Sequence, residues 1–296
     1  MASTTTTTVL ETIPTIRAAA LLELDEGNVV QPLVTNIPFP GPGLTHETPF
    51  IKKETAEHAQ TSSLSSQVME ATSTYADGSN AETTPSSASV YLNGAYILLQ
   101  DIAAITSNSD LAALAGQLIG QCIVVRKDYD LVSLFTAISI NQGSTTSAAM
   151  APADLYDAYG SLRKQFAPLP YHLVLHPTQI WSSHGLIVLL NNATTSIQSQ
   201  GMGTVGEDVA RYGFSGMVMG FNIWADANIP FTTNTGSGCA FARSAFKSVN
   251  KRDFMIEIQR DATEVGDKIV GSEMLGVSLL RNHHGNEMQF PSFDAV

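Results

Sequence analysis

Cysteine is nearly missing from this chain of 296 residues: Cys122 and Cys239 are the two present. Two thiols are too few for a disulfide framework or a zinc site. Cys122 falls on an apolar helical stripe and reads as a small buried hydrophobe. Charge is sparse, at 14% of residues, and its basic side is the thinner: 15 Lys and Arg against 27 Asp and Glu give a net charge of −12. The cations are scattered and form no stripe. Tight binding to a phosphate backbone needs clustered cations that release counterions. The composition therefore argues against direct nucleic-acid recognition, though not against enclosing nucleic acid without gripping it. No apolar run is long enough to span a bilayer. Met1-Ala2-Ser3 and the five threonines after it lack the basic-then-apolar layout of a secretory leader, so a cytoplasmic protein is expected. Neither a Gly-x-Ser-x-Gly elbow nor a P-loop occurs, and the acidic residues show no pairing beyond a solvated surface.

What is present is polar where a globular domain would not be. Between Thr61 and Ser89, Ser and Thr fill 14 of 29 positions. Val68 to Tyr75 and Ser89 to Leu92 are rich in β-formers, and Tyr75-Ala76-Asp77-Gly78-Ser79 lies between them. Asp77-Gly78 supplies the positive φ angles of a tight reversal and marks a hairpin tip. A long polar hairpin has no core of its own and is unstable alone in water. It makes sense lying on a neighbouring molecule, which points to an assembly subunit.

Elsewhere the 44% hydrophobic share suffices for a core. Residues 9–30 read as a short helix, with Ile13, Ile16, Ala20 and Leu24 at helical spacing, Pro14 in its first turn and Gly27 at its end. Residues 32–49, with Pro32, Pro38, Pro40, Pro42 and Pro49, read as an extended arm without regular structure. The longest helix signal covers 110–138: Leu111, Leu114, Leu118, Cys122, Val125 and Tyr129 recur at steps of three and four, behind an N-cap at Ser109. Gly116 and Gly120 inside it each cost up to ~1 kcal/mol relative to Ala. Either another backbone approaches there or the helix tolerates two defects. A helix follows at 153–166, then a buried strand at 171–175, a helix within 178–190, and a strand at 216–224. In the last third, Phe254, Ile256 and Ile258 alternate with Met255, Glu257 and Gln259 as in a half-exposed strand. A second strand or short helix covers 268–281.

Few constellations carry chemistry. Gly201-Met202-Gly203-Thr204-Val205-Gly206 has dinucleotide-loop spacing, but no good strand precedes it, so it reads as a surface loop. His172 and His176 would share a helix face; on a strand they stand about 13 Å apart, and a core or hydrogen-bonding role is expected. His283-His284 with Glu287 reads as an exposed terminus rather than a metal site. Asn192-Ala193-Thr194 is a sequon with no secretory signal to use it.

The order of arm, polar hairpin, long helix, α/β segment and strands resembles the major capsid proteins of tailed bacteriophages, a fold shared with encapsulins and the floor of herpesvirus capsids. Leu173-Val174-Leu175-His176-Pro177-Thr178-Gln179 is similar to the strand–proline–helix step that opens that family's axial domain. Gly216 to Trp224 with Asn228-Ile229-Pro230, and Gly238 to Ala245 followed by 253–261, are similar to two later passages of it.

The resemblance implies an α+β fold with an N-terminal arm (1–49), an extended hairpin loop (50–93) and a peripheral domain (94–150 and 240–281) built on a spine helix (about 110–138). An axial domain (151–239) and a C-terminal tail (282–296) complete it. It implies intersubunit contacts through Val68, Tyr75, Asp77, Gly78 and Tyr91 on the hairpin and Ile16 and Phe39 on the arm. The stripe Leu111, Leu114, Leu118, Cys122, Val125 and Tyr129 is expected to pack the spine helix on the strands of the last third. The implied function is a head protein, not an enzyme, with no cofactor, metal or catalytic residue. It forms hexamers and pentamers of an icosahedral shell around double-stranded DNA, bound without sequence specificity, in a virion assembled in the host bacterial cytoplasm. Partners would be a separate scaffolding protein, a portal and decoration proteins, with no membrane. The hairpin tip lacks the lysine that some members cross-link to a neighbour; Lys52 and Lys53 lie near the base. An encapsulin shell is the second reading, and a nucleotide-binding enzyme using the 201–206 loop the third.

Overall fold

The computed structural model describes residues 14, 16–22, 28–48, 86–101, 111–143, 150–181, 185–186, 217–232 and 235–291. Val68, Tyr75, Asp77, Gly78, the sequon and the 201–206 loop lie outside them.

The fold is α+β, built on two main sheets. The first has four strands in the order β1 (Thr35–Pro38), β11 (Phe246–Asp261), β12 (Gly266–Leu279) and β4 (Tyr91–Gln100). β11 and β12 form a long antiparallel hairpin, β4 adds antiparallel to β12, and β1 runs parallel to β11 from Thr35↔Lys247 to Pro38↔Asn250. The expected alternation holds: Phe254, Ile256 and Ile258 turn to one face, where α1 (Leu111–Val132) lies, while Met255, Glu257 and Gln259 are exposed. Ala115, Ile119 and Ile123 of α1 meet Phe254 and Ile269 there, with Ile16 and Ala20 of the helical segment at 16–22.

The second sheet runs β5 (Asn141–Gly143), β13 (Gly285–Pro291), β10 (Thr235–Ala242), β6 (Tyr171–Leu175), β8 (Phe221–Ala225) and β7 (Met217–Val218), with β9 (Phe231–Thr232) on β10. All five residues of β6 are buried, as a continuous apolar run in a central strand should be. Helix α2 (Pro152–Lys164) covers this sheet with Leu155, Ala158 and Leu162. Its start is fixed by Asp154, whose carboxylate accepts the Ala151 N–H at 2.8 Å. A short helix α3 (Pro177–Trp181) follows β6 directly. Between the sheets, Phe135, Phe241 and Phe246 pack with ring centroids 5.1–5.8 Å apart, joined by Leu131 and Val132 from the end of α1.

Three expectations are corrected by this fold. Residues 32–49 are not devoid of regular structure: they hold β1 and β2 (Thr45–Thr48). Proline is tolerated because Pro38 ends an edge strand, where no ladder N–H is required, and Pro40 and Pro42 fall between strands. Residues 68–75, expected to pair with the strand at Ser89 to Leu92, lie outside the described residues. β3 (Ser86–Ser89) pairs antiparallel with β2, from Thr45↔Ser89 to Thr48↔Ser86, which brings together the two ends of the 49–85 stretch. Residues 285–291 are no tail: β13 lies between β10 and β5, with Met288 fully buried. His284 is likewise buried rather than part of an exposed terminus, and Ser244 Oγ lies 2.6 Å from its Nδ1.

Candidate assembly surface

The stripe that the sequence assigns to the core of α1 faces outward. Leu118 is 53% exposed while its neighbour Ile119 is fully buried; Leu114, Val125 and Tyr129 are each about half exposed, and Cys122 is exposed too. Leu111 is half-buried. The helix is apolar nearly all round, so steps of three and four fit two stripes equally well. The signal that separates them is size. Gly116 and Gly120 fall on the inner side with Ile119 and Ile123, and a Cβ on residue 116 would come within 2.4 Å of the Ile16 carbonyl oxygen. Small residues mark the face where backbones meet, so the close-approach explanation of Gly116 is the correct one.

Around the N-terminal half of this stripe the described surface is apolar and uncharged; at its other end Arg126 lies over the Tyr129 ring and pairs with Asp130. Leu111, Leu114, Ala115, Gln117, Leu118 and Gln121 of α1, with Ile97 and Leu99 of β4, line a groove of about 450 Å³. Among the described strands β4 lies at the edge of its sheet, ten residues, YLNGAYILLQ, with neither a charge nor a proline. Natural proteins blunt such edges with both. Tyr91, at 68% exposure, Leu92 and Tyr96 stand out from it, and the Lys268 ammonium sits 4.5 Å over the Tyr96 ring.

The described part of the arm, by contrast, is fastened to its own chain. The Asp128 carboxylate, fully buried on α1, accepts the N–H groups of Val29 and Val30 at 3.0 and 3.3 Å. Burial pushes this carboxyl up to about 6 against those hydrogen bonds. Arg243 Nε donates to Val34 O at 3.1 Å. Buried Lys247 donates to Thr48 Oγ1 at 2.9 Å and to Ser86 O, clamping both strands at the base of the 49–85 stretch. Its burial lowers the ammonium to about 8. Phe39 packs with Ala88, Val90 and Val249 beneath the Lys251 ammonium. Ile16 is buried under its own α1. Of the expected contact residues, Ile16 and Phe39 therefore serve the chain's own packing, and Tyr91 is free to meet a neighbour.

Other titratable groups knit elements together. Lys127 Nζ on α1 meets Glu273 Oε2 on β12 at 2.7 Å, both nearly dry, and burial raises the Glu273 carboxyl despite the lysine. His172 Nδ1 accepts the Trp224 indole N–H at 3.3 Å; His176 Nδ1 lies 2.7 Å from Thr178 Oγ1 and its ring stacks on Phe231. Among the described residues no three His, Cys, Asp or Glu gather to hold a metal, and no helix is long and apolar enough to cross a membrane.

No family model and no curated protein matches the chain. Solved structures do. The chain is similar to the capsid of Ralstonia phage GP4, with a TM-score of 0.65 at 10% identity over 89% of this chain and 88% of that one. It is similar to the capsid of Cyanophage P-SCSP1u, with a TM-score of 0.62 at 16% identity over 86% of each. This is the capsid fold. The SrpI encapsulin of Synechococcus elongatus shares it, with a TM-score of 0.54 at 10% identity over 86% of this chain and 85% of that one. Among the described residues, the outward stripe of α1 and the β4 edge are where this fold presents exposed apolar side chains.

Proposed function

We propose that the chain is the major head protein of a tailed bacteriophage, a shell subunit forming hexamers and pentamers that enclose double-stranded DNA. The observation that carries this is a capsid fold spanning most of the chain together with uncovered apolar surface on α1 and β4. In this reading the four-stranded sheet with α1 is the peripheral domain and α1 its spine helix. The seven-stranded sheet with α2 is the axial domain, now including β13. The 49–85 stretch, clamped at its base by Lys247, reaches a neighbouring copy and contacts it through Val68, Tyr75, Asp77 and Gly78. A net charge of −12 suits a container that holds DNA without adhering to it. Scaffolding, portal and decoration proteins would be separate chains, and assembly would take place in the host cytoplasm.

Electron microscopy of the purified protein tests this. Closed shells with nuclease-protected DNA are expected after expression with the phage's own assembly partners; a chain that stays monomeric under all assembly conditions overturns it. Deleting Thr72 to Thr83 should leave the circular dichroism of the body intact and abolish or weaken shells. The likeness to an encapsulin favours a second reading, a shell loaded with protein cargo. Shells that co-purify with an enzyme and carry no DNA would decide for it.

A further inference from the structure

Two residues hold backbone conformations that their side chains disfavour, and both present those side chains to water. Phe166, at φ 55°, follows α2. Its N–H donates to Arg163 O and the Ala167 N–H to Leu162 O, both at 3.0 Å, a helix-ending pattern in which glycine usually takes this place. Val265, at φ 49°, sits in the turn between β11 and β12, where a β-branched residue is an outlier. Phe166 is 71% exposed and Val265 58%. Such strain clusters at sites of function.

The charges around the two have opposite sign. At the Val265 turn, Asp101, Asp261, Glu264 and Asp267 outnumber Arg260 and Lys268, and Arg260 already pairs with Asp101 and Asp267. At the Phe166 end lie cations. Arg163 and Lys164 precede it on α2. The His284 ring, hydrogen-bonded to the Gln165 backbone, lies 2.6 Å from Ser244 Oγ, which brings exposed Arg243 to the same end. Among the described residues, none of Arg163, Lys164 and Arg243 is ion-paired to a carboxylate. β11 starts beside Ser244 and runs toward the Val265 turn, and its sixteen residues span about 50 Å. The two ends therefore cannot meet within one chain. An exposed apolar residue in each, ringed by opposite charge, fits a head-to-tail contact of the kind that closes rings.

We propose that the β11–β12 turn of one copy docks on the α2 end of another, with Val265 against Phe166 and Leu169 and Glu264 facing Lys164. The contact rests on the chain being a shell subunit and gives that subunit a named interface.

The test uses the full chain with Cys122→Ser, so that Cys239, which is buried, is the one native thiol. Ala262→Cys and Gln165→Cys are added together, which leaves the contact residues in place, and assembled shells are oxidised with diamide. A ladder of disulfide-linked dimers, trimers and higher multimers is expected, with no linked species from either cysteine alone. In the parent background, Glu264→Lys and Lys164→Glu should each slow assembly at low salt at least ~tenfold, the scale of charge steering, and the two together should restore it. Val265→Gly and Phe166→Gly should weaken shells without lowering the subunit's melting temperature, because glycine accepts a positive φ freely. Shells that form without a ladder overturn the contact alone; a parent chain that forms no shells overturns the proposed function and the contact with it. Linked dimers from Ala262→Cys alone also overturn it and assign the turn to a like-with-like contact. Lys164→Glu shells of parental yield that hold less DNA overturn it and assign the α2 end to the genome.

Discussion

The Ile16 carbonyl oxygen stands 2.4 Å from where a Cβ on Gly116 would be, so the N-terminal helical segment sits on α1 backbone to backbone. Gly116→Ala should therefore destabilise by about 1–3 kcal/mol, overcoming the ~1 kcal/mol that alanine gains in a helix. Gly160, exposed in α2 with nothing within 4 Å of where its methyl group would stand, is the control. Gly160→Ala should stabilise by about 0.5–1 kcal/mol. Urea unfolding of both variants measures the contrast; equal effects would mean the Ile16 contact is not made.

Ile119 and Leu118 adjoin in sequence and differ in fate. Ile119→Ala removes a fully buried side chain between α1 and β11 and should cost about 2–5 kcal/mol. Leu118→Ala should cost under about 1 kcal/mol in the isolated chain. Thermal unfolding of the monomers reads the first difference. A reversed order would restore the leucine stripe to the core.

Lys127 and Glu273 pair out of water. Lys127→Met alone leaves a buried carboxylate uncompensated and should cost about 3–5 kcal/mol. Adding Glu273→Leu should recover most of that loss. A double variant no more stable than the single one would show that the pair contributes through shape rather than charge.

Acid stability carries two opposed contributions. Burial, with Arg281 nearby, holds the His284 imidazole down at about 4. The unfolded chain therefore takes up this proton below 6.5 and the folded one does not, so stability falls on acidification from 6.5 to 4. Asp128 does the reverse: its folded carboxyl binds a proton below about 6, the unfolded one below 3.8, so stability rises on acidification through that window. Relative to the parent, His284→Gln should lose stability less steeply between pH 6.5 and 4, and Asp128→Asn more steeply. Denaturation midpoints across that range give both slopes, and parallel curves for all three proteins would contradict both assignments.

The parts that could be read from the sequence are those whose pattern has one solution. The alternation of Phe254, Ile256 and Ile258 fits a strand with one buried face, and the run at 171–175 fits a central strand. Leu155, Ala158 and Leu162 fit one face of α2. The phase of α1 could not be read from apolar periodicity, because Leu114, Leu118 and Val125 compete with Ala115, Ile119 and Ile123 on equal terms. The glycines were the tie-breaker. β1 and β2 hide behind prolines that edge strands accept. β13 is hidden because Gly285-Asn286-Glu287-Met288-Gln289-Phe290-Pro291 has little strand character, and its partners lie more than forty residues upstream. Of the candidate surface, the outward leucines are the part that the sequence pattern assigns to the interior.

β13 also sets a clock on synthesis. Its seven residues sit between β5 and β10, and among the described strands β5 has no other partner. Strands at 141–143 and 235–242 must wait for residues 285–291 to leave the ribosome before their sheet closes. Non-local pairing of this kind is slow to form. A nascent chain thus emerges with its second sheet incomplete until residues 285–291 have been made.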